Sequence, residues 1–426
     1  MGVWISKAAA GLRRGFRRVA PAAGILLLAA SAALAAEPIK IGFGMALTGA
    51  LAGNGKAALL AIEMWAAETN AKGGLLGRPV QLIYYDDQTN PSLVPGLYSK
   101  LIDVDKVDLV IAGYGTNVEV PAMPIIIERG MMYMGLFGLE VNAKFNYDRF
   151  FQIQPMGQTP RRAFSEGFFE AAMAMDPKPK TIAIAGADAE YPQVAMVGVR
   201  ELAAEHGLKI VYDKSYPPNQ VDFTPIVRAI QATNPDLVYV ASYPPDTAGM
   251  VSAASELNLK TRMFGGGLVG LQYASLKQKF GQKLNGIVYF NHWAPEPTMQ
   301  FPGIQDFIQK YQAKAPSAGV DPLGFYLPPF AYAAMQVIQQ SVEATKSLDQ
   351  KTLAEHIHKT EFKTIVGDVK FGANGEWAQS RVIYTQLQGI VGNDVEQFKL
   401  PGKEIILAPA QYKSGKLAYP YSEIKK

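Results

Sequence analysis

Cysteine is absent from this chain of 426 residues. That absence removes disulfides, thiol nucleophiles, thiolate metal sites and the lipid-modifiable cysteine of a bacterial lipoprotein. Histidine is scarce. His206, His292, His356 and His358 include no pair at metal-ligand spacing on one helix face, and they read as solvated side chains. Motifs of catalysis are missing too: no G-x-S-x-G elbow and no G-x-G-x-x-G fingerprint opens a helix after a strand. Gly55-Lys56 resembles the end of a phosphate loop, but Ala50 and Ala57 stand where that loop needs glycine and a hydroxyl. An excess of charge of one sign is lacking as well. Of 41 basic residues, Lys7, Arg13, Arg14, Arg17 and Arg18 fall in the first 35 positions; the other 36 face 37 acidic residues, a net of −1. Beyond that leader nothing argues for nucleic acid or an anionic membrane.

What is present begins with the leader itself. A basic segment, an apolar run from Val19 to Leu34 and Ala33-Leu34-Ala35 read as a secretory signal peptide over 1–35, with the mature chain starting at Ala36 in the periplasm. Arg13-Arg14 leaves twin-arginine export open beside the general route. From residue 39 onward, short runs rich in Val, Ile and Tyr alternate with segments of helical periodicity, the pattern of parallel sheets built from βαβ units. Strands are expected at "IKIGFGM", "PVQLIYYDD", "VDLVIAG" and "GMMYMGL", with helices over 57–70, 92–104 and 118–129. After "DRFF" the alternation restarts, which predicts two doubly wound α/β lobes. The tail "DVKFGANGEWAQSRVIYTQLQGIVG" predicts short antiparallel strands.

In doubly wound sheets ligands bind beyond the carboxyl ends of strands, so the loops at 46–56, 113–118, 136–140, 187–192 and 242–247 are candidates. "IAGYGTNVEVPAMP" leads from a strand into a helix, with Thr116-x-x-Glu119 as a capping box. Thr116 can cap that helix, hold a ligand carboxylate at its positive end, or do both. Tyr191 in "DAEYPQ" and Tyr243 in "ASYPPD" stand at equivalent places just past strands of the second series.

"IKIGFGMALTGALAGNGKAALLAIEMWAAETNAKGGLLGRPVQLIYYDDQTNPSLV" resembles the opening of periplasmic binding proteins of the branched-chain amino acid type, the solute receptors of ABC importers. "DLVIAGYGTNVEVPAMPIIIERG", "IAIAGADAEYPQ", "VDFTPIVRAIQATNPDLVYVASYPPDTAGMVSAASELNLKTRMFGGG" and "GDVKFGANGEW" continue the likeness. The resemblance implies two lobes joined by a three-segment hinge: 36–156 plus 291–371, and 157–290 plus 372–426. It implies hinge closure on a small carboxylate or amino acid, delivery to membrane permease subunits, a monomer, no cofactor or metal and no enzymatic reaction. A receptor that presents its closed form to a membrane signalling partner is the alternative.

Carried over residue by residue, the family's carboxylate-binding hydroxyl falls on Thr116 and its second-lobe tyrosines on Tyr191 and Tyr243. Asn54, Phe137 and Leu139 depart from the tyrosine and small residues of amino-acid receptors. Gly267 stands where an acid meets the ligand ammonium. Asp246 or Glu140 is the expected substitute, or else the ligand is a less polar, aromatic acid. A glutamate in place of Gly267 is expected to leave the fold largely intact.

Overall fold

The computed structural model describes residues 37–425, so the signal-peptide reading of 1–35 and the start at Ala36 lie outside the described residues. The chain first alternates β1 (Ile39–Met45), α1 (Ala52–Ala71), β2 (Val80–Asp86), α2 (Val94–Ser99), β3 (Leu109–Tyr114), α3 (Thr116–Glu128), β4 (Tyr133–Leu136) and β5 (Phe150–Gln152). These strands form one parallel sheet in the order β2-β1-β3-β4-β5.

A second series follows. It comprises α4 (Pro160–Met173), β6 (Thr181–Ala187), α5 (Glu190–Glu205), β7 (Lys209–Tyr216), α6 (Thr224–Ala232) and β8 (Leu237–Ser242). Then come α7 (Pro244–Glu256), β9 (Met263–Leu268), α8 (Ala274–Phe280) and β10 (Val288–Asn291). Helices α9 (Ile304–Ala318), α10 (Pro328–Thr345) and α11 (Gln350–Lys359) precede the hairpin β11 (Glu361–Thr364) and β12 (Gly367–Lys370). Of two last strands, β13 (Ile383–Leu387) adds antiparallel to β10 and β14 (Glu404–Ala408) antiparallel to β13. The second sheet therefore runs β14-β13-β10-β9-β8-β6-β7.

Both sheets contain the order 2-1-3-4-5, in which the topology reverses beside the first strand of the series. That reversal opens a crevice outside the carboxyl ends of the strands. The central strands carry continuous apolar runs because helices cover both faces: every residue of β3 and of β8 is buried. Late helices pack beside the first sheet. Trp65 of α1 donates from its indole to Gln339 Oε1 on α10 at 2.9 Å, and Tyr332 donates to Glu68 at 2.6 Å.

Three sequence expectations shift. Helix α1 begins at Ala52 rather than 57, drawing Gly53, Asn54 and Gly55 out of the expected turn. Its second glycine fits because a Cβ at Gly55 would sit 2.0 Å from the Ala46 carbonyl oxygen, so the first helical turn can approach β1 only there. The expected helix over 92–104 is instead α2 followed by a wider π-type turn over Lys100–Val104. Helix α3 begins two residues early, at Thr116.

Candidate ligand cleft

The carboxyl ends of the two sheets meet at a small cavity of about 30 Å³. Its lining includes the residues that start four helices: Leu51 before α1, Gly115 and Thr116 at α3, Tyr191 at α5, and Tyr243 before α7. Unpaired N–H groups at such termini favour an anion. Seven of the thirteen lining residues are aromatic, and none of those among the described residues is charged.

Thr116 is buried, and its hydroxyl oxygen accepts from the Leu139 amide at 2.9 Å, leaving its own proton to be donated. The capping box does not form. Gly115, at φ 106, is the residue before the helix, and no side chain caps it. Glu119 instead is fully buried and accepts from the Leu136 amide and from Gln152 Nε2, each at 2.8 Å. Burial raises its carboxyl to about 8. Gln152 Oε1 in turn accepts from the Phe137 amide at 3.0 Å, so a polar brace beneath the loop after β4 holds the chain that carries Phe137 and Leu139. Phe137 sits at φ 69, a left-handed conformation that bulky residues seldom adopt. Its ring lies 4.8 Å from His292, 5.1 Å from Tyr326 and 5.2 Å from Phe330.

On the opposite wall, Tyr191 donates to the Gly267 carbonyl at 2.7 Å, and its ring meets Phe164 and Tyr243 edge-on, each at 5.6 Å. The Tyr243 hydroxyl is buried beside the Tyr191 amide, and no group of the protein accepts its proton. Burial raises its pKa, so it stays a donor.

Of the residues singled out from the sequence, Thr116, Phe137, Leu139, Tyr191 and Tyr243 line this cavity together. Others do not. Asn54 is buried on α1 with its Nδ2 unpartnered, outside the lining. Asp246, the expected substitute acid, accepts from Tyr216 at 2.8 Å; burial raises it to about 6, and it does not line the cavity. Gly267 lies in β9, where a Cβ would stand 2.3 Å from the Tyr191 hydroxyl oxygen. A glutamate there therefore has to displace the Tyr191 hydroxyl, the far end of a side chain, before it fits. Glu140 lies 3.8 Å from Arg161 and likewise stands outside the lining.

Sequence reasoning missed a polar pair. Gln154 lines the cavity and its Nε2 lies 3.0 Å from His292 Nε2, while Gln154 Oε1 and His292 Nδ1 have no partner. His292 is fully buried rather than solvated, and burial pulls its pKa down to about 3, keeping the ring neutral. The signal was a glutamine alternating with apolar residues in "FFQIQPM", beyond the reach of any local motif.

The sequence profile of the periplasmic binding protein family matches residues 38–390. The chain belongs to the periplasmic binding protein family. Among curated relatives of this binding protein, Leu/Ile/Val-binding protein homolog 2 of Brucella abortus (strain 2308) is 25% identical over 343 residues, covering 79% of this chain and 87% of the relative. The Leu/Ile/Val-binding protein of Escherichia coli (strain K12) is 24% identical over 356 residues, 83% of this chain and 92% of the relative. A solved solute-binding protein of an ABC transporter from Rhodopseudomonas palustris HaA2, in complex with p-hydroxybenzoic acid, superposes with a TM-score of 0.71 at 20% identity. It covers 90% of this chain and 98% of that one.

Proposed function

We propose that this binding protein is the periplasmic receptor of an ABC importer and captures a small aromatic carboxylate between its two sheets. The observation that carries this reading is the cavity's chemistry: seven aromatic rings, helix N-termini and neutral donors, with no carboxylate among the lining residues. A zwitterionic amino acid would bury its ammonium unpaired, at a cost of several kcal/mol. A carboxylate would instead take the Thr116 hydroxyl, the free amides at the start of α3 and the Tyr243 hydroxyl. The ring would lie among Phe137, Tyr191 and Phe290, and a polar substituent at its far end would meet Gln154 beside His292. The p-hydroxybenzoic acid of the Rhodopseudomonas relative belongs to that chemical class.

The lobes of this reading are 36–156 plus 291–371 and 157–290 plus 372–426. Three connections join them, and they would close by the hinge motion by which periplasmic binding proteins enclose ligands. Among the described residues no helix is long and apolar enough to cross a membrane. Calorimetry with benzoate, 4-hydroxybenzoate and leucine tests the ligand class. Saturable binding of the benzoates with leucine at least about a hundredfold weaker, some 2.7 kcal/mol, is expected; tighter binding of leucine would overturn the reading.

A further inference from the structure

The segment from Trp377 to Arg381, between β12 and β13, takes no part in lining the aromatic cavity. With Phe301, Gly367, Lys370 and Tyr412 it lines a separate surface cleft of about 640 Å³. Arg381 is only 7% exposed, its guanidinium carbon 4.6 Å from the Phe301 ring centre and 4.7 Å from that of Trp377. Nε and Nη2 of this arginine, and Nε1 of Trp377, are buried donors without an acceptor. The cleft's own acids do not serve them. Lys363 takes Asp368 at 2.5 Å and lies 3.9 Å from Glu361, and among the described residues Arg381 forms no ion pair.

Stacking between two rings stabilises the faces of a guanidinium but leaves its edge donors unmatched. Arginine does not escape by neutralising: burial pulls it to about 10, which still leaves it charged at neutral pH. Tyr412 is a side-chain hydrogen-bond partner of the guanidinium, and a buried, always-charged fork whose other donors stay idle is costly unless something completes it. Gly367, at φ 87, leaves the room, because a Cβ there would come within 3.0 Å of Nη1.

We propose that Arg381, with Lys370 and the Trp377 indole, forms a second ligand site that binds a small organic carboxylate by its two oxygens. A monoanion suits the cleft better than a phosphate dianion, since Asp368 and Glu361 line the same walls and repel the second charge. The flanking rings accept the apolar body of such an acid. This inference does not depend on the ligand proposed for the aromatic cavity.

The test follows the Trp377 indole N–H resonance of the full protein by NMR, assigned by its loss in Trp377→Phe, during titration with benzoate, acetate, inorganic phosphate and sodium chloride at matched ionic strength. Saturable displacement by benzoate and acetate is expected, at least about tenfold weaker in Arg381→Gln and reduced in Lys370→Ala, and unchanged in Thr116→Ala. A resonance that moves no more with benzoate or acetate than with chloride overturns the proposal on the wild-type protein alone, whatever the variants do. So does movement that persists in a folded Arg381→Gln protein, or that vanishes in Thr116→Ala. Phosphate acting about tenfold more tightly than benzoate would overturn the carboxylate assignment.

Discussion

Replacing Tyr243 by phenylalanine should move ligand-free stability and ligand affinity in opposite directions. No group of the protein accepts the proton of the buried Tyr243 hydroxyl, which lies beside the Tyr191 amide, and a polar group buried without its partner costs up to about 1–3 kcal/mol. Removing one oxygen leaves the ring and its edge-on contact with Tyr191 in place, so Tyr243→Phe should stabilise the empty protein by up to about that amount. A carboxylate in the cavity would lose a hydrogen bond to a charged group, worth about 1.5–3 kcal/mol, or a ten- to hundredfold loss of affinity. Urea unfolding without ligand and calorimetry with 4-hydroxybenzoate measure the two halves separately. If the variant is less stable when empty and binds as tightly as wild type, the hydroxyl already has a partner and the placement of the ligand's acid beside it is wrong.

The other expectations concern groups around the cleft. Glu119 has a pKa raised from 4.5 to about 8 by burial, so its contribution is full below pH 4.5 and is lost as pH rises through 8. His292, lowered from 6.5 to about 3, and Asp246 and Asp87, raised to about 6, have finished acting by about pH 7.5, whereas burial also raises Glu376; stability should therefore fall towards pH 8 by up to about 1.4 kcal/mol per pH unit for each carboxyl still protonated in the fold. Urea unfolding of Glu119→Gln should show this slope reduced by about one proton, and an unaltered slope would refute the assignment. Gly267→Ala should displace the Tyr191 hydroxyl and cost about 1–3 kcal/mol in stability; a neutral result in thermal unfolding would mean that β9 or Tyr191 yields freely. Lys277→Met leaves Glu404 buried with only Asn291 Nδ2, at 2.9 Å, to serve it, and should cost about 3–5 kcal/mol by denaturant unfolding.

The strands were legible because apolar β-branched runs repeat at βαβ spacing: β1 runs over Ile39–Met45, the expected "IKIGFGM". The start of α1 was not, because two glycines read as a turn. Only the close approach of Gly55 to Ala46 O explains why they are helical. Similarly, Thr116-x-x-Glu119 has the spacing of a capping box, yet Glu119 is claimed by Leu136 and Gln152, partners from β4 and β5 that no local pattern announces. Asp246 looked free to serve a ligand until Tyr216, thirty residues upstream, proved to occupy it. Gln154 and His292 are 138 positions apart, so their pairing belongs to the packed cleft rather than to either segment. Recognition residues were readable where they sit at the ends of predicted strands and unreadable where the fold alone joins them.

The antiparallel strands β13 and β14 carry a consequence for how the chain is made. Strand β10 has β9 on one side and, on the other, a partner that begins only at Ile383. Until that segment emerges from synthesis, Val288–Asn291 presents an open row of backbone donors and acceptors, the kind of edge that recruits other chains. A nascent protein in this condition cannot complete its second sheet. A product cut short before Ile383 keeps the same edge permanently and is a candidate for aggregation rather than for partial activity.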